Sequence, residues 1–195
     1  MLYNLMLFFH IFGTLLMFMG VAIALTALLS ILYAKDTQSI RTWAKVAVKS
    51  DGLIPISVIF ILFPGLYLVF STWGWGTGWI DLCLATLIAM TIMGPVINLP
   101  RLKAILEAAN NETNSSPSTA LLQTIHNRTL WNSFMIMTML GFGIVFLMTM
   151  KLAMVGSLVT LLISVVLGYV LATIILGKAF NSNKINTGSN HTLTK

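Results

Sequence analysis

A single histidine lies inside the first apolar segment of the chain, in the stretch LFFHIFGTLLMFMG at residues 7–20. At helical spacing His10 shares one face with Gly13 and Gly20, and small residues on one face allow a second helix to approach closely. This face should therefore point into a helix bundle. Ionisable residues inside a membrane are costly and often functional, and neutral imidazole is a common ligand of haem and copper. The residue types predict either a cofactor ligand at His10 or a hydrogen bond that joins two helices.

A second ligand for His10 is harder to find in the sequence. Met90 and Met139 are predicted at depths that suit a histidine–methionine haem site. His126 precedes the fourth apolar stretch and is separated from His10 by roughly 20 Å on helical rise, whereas nitrogen ligands lie only about 2 Å from a metal. His191 lies near the end of the chain and is no better placed. His10, Met90 and Met139 are therefore the candidate ligands of haem b, and His10 alone is the candidate ligand of another metal such as copper or zinc.

The elements that must position these residues are membrane helices. Of the 195 residues, 57% are hydrophobic and 8% are charged, whereas a soluble domain has about 25% charged residues. Crossing the hydrocarbon takes about 20 apolar residues in a helix. Five stretches qualify, at residues 2–34, 53–72, 79–100, 130–150 and 152–177. Nothing alternates with the period of a strand, so the sequence predicts an all-α polytopic membrane bundle with five transmembrane helices.

The basic residues predict how this bundle is oriented. In a five-span arrangement, ten of the eleven lysine and arginine residues lie on one face of the membrane. Lys151 lies on the other face. The positive-inside rule then places the N-terminus outside and the C-terminus in the cytoplasm. An alternative with four spans, in which residues 130–177 form one helix or re-enter, would bury Lys151 in mid-membrane. We therefore predict a multi-pass protein of a bacterial cytoplasmic (inner) membrane, whose net charge of +6 reflects topology and contact with the lipid bilayer rather than nucleic acid.

Basic residues near the ends of the spans have either a structural or a binding role. Four basic residues are predicted at the cytoplasmic edge, namely Arg101, Lys103, His126 and Arg128. Their ordinary role is to anchor the protein and contact anionic lipid. The more specific role is to form a pocket for an anionic substrate or haem propionates.

Asp81 begins the third span, where a carboxylate complements the helix dipole. The sequence has no nucleotide-binding glycine loop and no nucleophile–base arrangement, so it does not indicate whether the protein is an enzyme.

The chain is predicted to divide into a four-helix membrane bundle at 1–151, a fifth transmembrane helix at 152–178 and a polar cytoplasmic tail at 179–195. Ser164 and Gly168 form a small-x-x-x-small pair on the fifth helix, which is a known device for close helix packing. This helix could dock on the bundle or on another chain. We predict a homo-oligomer or a complex with another membrane protein.

Four segments of the chain resemble a bacterial family of predicted integral membrane proteins called domain of unknown function 2269. They are LFFHIFGTLLMFMG, PISVIFILFPGLYLV, GWIDLCLATLIAM and VFLMTMK. The resemblance covers residues 2–151, with Leu152 where the family usually has proline, and leaves the fifth helix outside. The group is distantly similar to the copper-resistance protein D and membrane protoporphyrinogen oxidase families, which have a histidine early in a membrane helix. The resemblance thus implies ligation by His10, with haem in the oxidase family, and transfers no activity. The oxidase family's Leu-Pro-Arg motif follows its first helix, whereas LPR here ends the third span, so no role passes to Arg101.

Three functions remain open from the sequence. The first is a haem- or metal-binding redox module that uses His10. The second is a non-catalytic membrane partner that assembles with or stabilises another membrane protein. The third is a small permease with a pathway near the kinks at Pro64 and Pro95. A transporter normally needs buried charges, and none of the five acidic residues is predicted in mid-membrane, so the permease is the least favoured.

Overall fold

The chain folds as a bundle of helices, in a computed structural model that describes the backbone of residues 1–192 and the side chains of residues 1–179. Over these residues there is no strand. The α-helices are α1 Leu2–Tyr33, α2 Thr37–Asp51, α3 Leu53–Leu68, α4 Gly78–Met93, α5 Leu99–Asn111, α6 Thr119–Ile125, α7 Arg128–Met150 and α8 Met154–Thr192. Two π-helical segments extend this pattern: Val69–Trp73 continues α3, and Gly94–Asn98 joins α4 to α5.

Five helical units are long and apolar enough to cross a membrane. They are Leu2–Tyr33, Thr37–Trp73, Gly78–Asn111, Thr119–Met150 and Met154–Ala179. The predicted all-α architecture with five membrane-spanning helices is therefore confirmed. The second, third and fourth units each join a shorter, more polar helix to an apolar one, as α2 to α3, α4 to α5 and α6 to α7. The orientation of the termini stays a prediction.

The segment between the first two spans differs from the predicted loop, because most of it forms α2. Asp36 begins this helix, and its side chain accepts a hydrogen bond from the backbone nitrogen of Ser39 at 2.8 Å, which satisfies a free N–H of the first turn. The buried face of α2 includes Ile40, Ala44 and Ala47. The apolar residues of α2 form one narrow stripe, so the helix does not read as an apolar stretch in the sequence. Their spacing of three and four residues is typical of a helix that packs one face on a core.

The main packed core lies at the end of the bundle formed by α2, α5 and α6, which we call the basic end. Buried residues of α1, α2, α5, α6, α7 and α8 contribute to this cluster. Trp131 of α7 is fully buried there, and its indole nitrogen donates to the carbonyl of Ile125 at 3.0 Å. The opposite end carries Trp73, Trp75 and Trp79, and we call it the tryptophan end. Its buried clusters are smaller, which leaves room for a cavity.

Glu112 organises the connection between α5 and α6. Its carboxylate accepts hydrogen bonds from the Ser118 backbone nitrogen at 3.2 Å and from Asn114 Nδ2 at 3.3 Å. Hydrogen bonds from Ser118, and then from Asn114, hold the pKa of Glu112 below its usual value, because they favour the charged form.

We predict that these hydrogen bonds protect the backbone amides of the connection from hydrogen exchange at pH values above the ordinary pKa of a glutamate, about 4.3. Protection should be lost as the pH falls through the lowered pKa of the folded state, since a protonated carboxyl accepts these bonds less well. Hydrogen-exchange protection factors for residues 112–118, measured between pH 7 and pH 3, check this. Glu112→Gln should have the low protection already at pH 7. Equal protection of both proteins across the range would contradict the prediction.

Two small residues of α8 pack against α7 within the same chain. A Cβ atom at Gly168 would lie 2.5 Å from Ile136 Cα and 2.8 Å from Ile136 N, and the Oγ of Ser164 would lie 2.5 Å from a Cβ at Gly143. Of the two predicted possibilities for this pair, docking on the bundle or on another chain, the structure has the first, because the backbone of α7 occupies that face. A wider oligomer stays a prediction that these two residues do not support.

The last helix is longer than the predicted fifth span. α8 runs from Met154 to Thr192, so the segment from 179 predicted as a polar tail continues the span as a helix. Residues 193–195 of that segment lie outside the described residues.

Candidate functional site

His10 is hydrogen-bonded across the contact between α1 and α3. Its Nδ1 lies 2.8 Å from the carbonyl oxygen of Ile61. Because a carbonyl oxygen only accepts, this bond assigns the proton of the neutral ring to Nδ1 and leaves a lone pair on Nε2. Nε2 makes no hydrogen bond to the described residues and is not fully enclosed. The ring is thus held in one tautomer with its other nitrogen available to a ligand.

Two glycines bring α1 and α3 close enough for this hydrogen bond. A Cβ at Gly13 would lie 2.8 Å from the backbone nitrogen of Ile61, and a Cβ at Gly65 would lie 3.0 Å from His10 Cε1 and Nδ1. Pro64 has no N–H, so α3 lacks one intrahelical backbone hydrogen bond next to this contact. The predicted inward face of α1 and the predicted kink of α3 therefore meet at the histidine.

A cavity of about 430 Å³, which we call the large cavity, lies between α1, α3, α4 and α7 at the tryptophan end. Most of its lining is apolar. The polar and thiol side chains in the lining are Tyr3, His10, Thr14, Cys83, Thr149 and Lys151, besides the tryptophans. Small-molecule sites usually have volumes of about 300–1,000 Å³ and a mainly apolar lining with a few well-placed polar groups. The large cavity has the size and composition of such a site.

Lys151 contributes a positive charge to the large cavity just beyond the end of α7. Its backbone is left-handed, with φ 53° and ψ 46°, and among the described residues it alone has positive φ without being glycine. Its Nζ lies 4.3 Å from the centre of the Trp73 ring, which is a cation–π contact. Trp79 packs edge-to-face on Trp73 with 5.7 Å between ring centroids. The cavity that contains His10 therefore has a fixed ammonium group at its edge.

The two methionines predicted as ligands do not line the large cavity. Met90 lines a neighbouring cavity of about 50 Å³, which we call the small cavity, and Met139 lines neither of the two. The sulphur-bearing side chains that line the large cavity are Met17, Cys83 and Met148. The structure thus does not bring Met90 and Met139 together with His10. Met90 shares a face of α4 with Leu87, which lines both cavities, but lies nearly one turn farther along the helix. Depth along α7 does not tell in which direction the side chain of Met139 points.

The predicted basic-edge residues lie at the basic end and line neither cavity. They are Arg101, Lys103, His126 and Arg128. Arg101 donates to the carbonyl of Ile97 at 2.6 Å, and Nδ1 of His126 lies 2.7 Å from the carbonyl of Leu122. These two side chains are therefore engaged with their own helices. Contact of the four residues with lipid or another anion stays a prediction.

The small cavity lies next to the large one and shares part of its wall. The shared residues are Met17, Leu87 and Gly141. Asp51 and Asn98 line the small cavity, and sequence analysis missed both. A usable signal was Asn98, a polar residue inside the third predicted span beside Pro100. Asp51 gave no such signal, because it precedes the second apolar stretch and its inward position depends on how α2 packs.

The donor set at His10 suits haem better than a bare metal ion. In the described part of the chain, no group of three or more histidine, cysteine, aspartate or glutamate side chains could hold a metal ion. A bare ion at His10 would therefore have at most two ligands from this set of side chains. Haem brings the nitrogens of its own ring and needs the protein for axial ligands only.

Comparisons with known proteins provide no relative. The chain matches no protein-family model, no curated protein and no solved structure. The resemblance of residues 2–151 to domain of unknown function 2269, and what it implies for His10, stays a prediction. The geometry around His10 and the two cavities is therefore the basis for the function proposed below.

Proposed function

We propose that the protein binds haem b in the large cavity, where Nε2 of His10 would hold the iron, and acts as a membrane redox module. The observation that supports this most is the hydrogen bond from His10 Nδ1 to the Ile61 carbonyl at 2.8 Å. Histidines that bind a metal usually donate their other ring N–H to a carbonyl or carboxylate, which fixes the tautomer and the ring orientation. The hydrogen bond of His10 to Ile61 is of this kind.

The lining of the large cavity supports an amphipathic cofactor. Its apolar walls suit the faces of a porphyrin and exclude water, and Lys151 at the edge would pair with a propionate carboxylate. Met17 and Met148 line the same cavity and would offer thioether groups, which hold haem iron together with histidine in cytochromes. When bound, the iron of haem supplies one-electron chemistry. The chain's own contribution is to bind and orient the group.

We further propose that the tryptophan end faces the outside of a bacterial cytoplasmic membrane. The predicted distribution of lysine and arginine supports this orientation, since α2 and α5 carry basic residues at the opposite end. Trp73, Trp75 and Trp79 would then form an aromatic belt at the outer interface. His10 would lie in the outer half of the membrane, within reach of redox partners on that side.

Titration of the purified protein with haemin tests the proposed function. We expect a Soret band that saturates at one haem per chain and sharp α and β bands after reduction, because a histidine-ligated haem b gives these features. Elemental analysis of the same preparation for copper and zinc is the companion measurement. Protein that is colourless from haem-replete cells and takes up no haemin would contradict the haem proposal.

A further inference from the structure

Asn98 has a buried side-chain oxygen with no hydrogen-bond partner. The residue is 4% exposed and ends the π-helical segment Gly94–Asn98. Its Nδ2 lies 3.3 Å from the sulphur of Met137, while its Oδ1 lacks a partner among the described residues. A buried polar atom in a native protein is nearly always satisfied, and an apparent exception indicates a bound water or ion. Asn98 lines the small cavity, so the missing partner has a place there.

Most of the polar groups around the small cavity present acceptors to it. The polar side chains in its lining are Asp51, Thr91, Asn98 and Thr138. Each threonine hydroxyl donates its hydrogen to a carbonyl four residues earlier in its own helix, at 2.8 Å, and so offers only lone pairs to the cavity. An ionised carboxylate is also acceptor-only. The amide of Asn98 directs one of its two N–H groups to Met137, and its Oδ1 has no partner among the described residues. An occupant that satisfies these oxygens is positively charged or itself donates.

The charge of the lining suits a single positive charge. Asp51 supplies the only carboxylate of the cavity lining. A single carboxylate cannot hold a divalent ion well, since such ions are usually held by more carboxylates or by several waters. No other titratable side chain lines the small cavity.

We propose that the small cavity binds a monovalent cation, such as Na⁺, through the side-chain oxygens of Asp51 and Asn98. The hydroxyl oxygens of the two threonines are further ligands. Pro95 and Pro100 lack N–H groups, so some helix carbonyls near Asn98 have no intrahelical donor, and broken helices supply such carbonyls to cation sites in membrane proteins. The volume of about 50 Å³ admits a small ion with few waters. This site does not depend on the proposed haem at His10.

Thermal unfolding of the purified full-length protein in detergent tests the cation site. Samples in NaCl, KCl and choline chloride at equal ionic strength separate specific binding from salt effects, because choline is too large for the cavity. At a Na⁺ concentration of about ten times the dissociation constant, the midpoint in NaCl should exceed that in choline chloride by about 3–6 °C. An equal shift in KCl supports a monovalent site without selectivity. Equal midpoints in NaCl and choline chloride over a wide concentration range would overturn the proposal.

Substitutions show whether the shift comes from this cavity. Asp51→Asn keeps the shape of the side chain and removes its charge, and Asn98→Leu removes the unpartnered oxygen. Both should lose the Na⁺-specific shift. Asp81→Asn is the matched control, because it makes the same chemical change at a carboxylate that lines neither cavity, and it should keep the shift. If Asn98→Leu does not fold, Asp51→Asn is the deciding variant. A rise of its thermal midpoint in NaCl over choline chloride as large as that of the wild type would refute the site.

Discussion

Gly168→Leu is expected to destabilise the folded chain by about 3 kcal/mol, the upper end of the usual cost of overpacking. The physical reason is that a Cβ at Gly168 would lie 2.5–2.8 Å from backbone atoms of Met135 and Ile136 on α7. Backbone atoms cannot rotate away, so α7 and α8 must separate. In a chain of this length the midpoint of thermal unfolding in detergent should fall by about 6–12 °C.

Gly177→Leu is the matched control for this prediction. Gly177 lies on the same helix, and a Cβ there would meet no atom within 4 Å. Leucine is a better helix former than glycine by about 1 kcal/mol, so this variant should be as stable as the wild type or slightly more stable. The difference between the two variants isolates the clash. If Gly168→Leu kept wild-type stability and changed only the sedimentation profile, the contact between α7 and α8 would be refuted in favour of an intermolecular role.

His10→Ala is expected to abolish the haem spectrum and leave the protein folded. The substitution removes the proposed axial nitrogen completely, whereas the loss of the hydrogen bond to Ile61 should cost only about 0.6 kcal/mol, the average for such bonds between membrane helices. Absorption spectra with and without added haemin, together with a thermal melt of the same sample, measure both effects.

His126→Ala is the control for His10→Ala. His126 lies at the basic end, outside both cavities, so its replacement should leave the Soret band intact. A reduced spectrum that is the same in wild-type protein and in His10→Ala would show that His10 only joins α1 to α3. Loss of the spectrum in both variants would point to general loss of structure, which the melts would detect.

Much of the architecture followed from consecutive residues. The five spans were predictable because a membrane span is a run of about 20 consecutive apolar residues, which can be counted directly in the sequence. The structure has five such units. The inward face of α1 was also predictable, because the 3.6-residue period puts Gly13 on the same side as His10, and Gly13 meets α3 closely. The helix α2 was missed, although Ile40, Ala44 and Ala47 recur at helical spacing. A search for long apolar stretches does not detect a helix with one buried face.

The partners of individual side chains could be read only from the tertiary structure. Sequence placed Met90 near the depth of His10, and Met90 shares a face of α4 with Leu87 of the large cavity, but its position farther along the helix places it at the small cavity. The sequence left open whether Gly168 contacts the bundle or another chain, and the packing of α8 on α7 uses it within this one.

The sequence by itself determined the five apolar spans and the inward position of His10, because each depends on properties that repeat along one segment. Only the tertiary structure decided that Nδ1 of His10 bonds to Ile61, 51 residues away, and that Asp51 and Asn98 share a cavity. These contacts depend on the rotation and relative height of separate helices. Close packing of side chains from distant segments sets those two quantities, and no periodicity within a single segment encodes them.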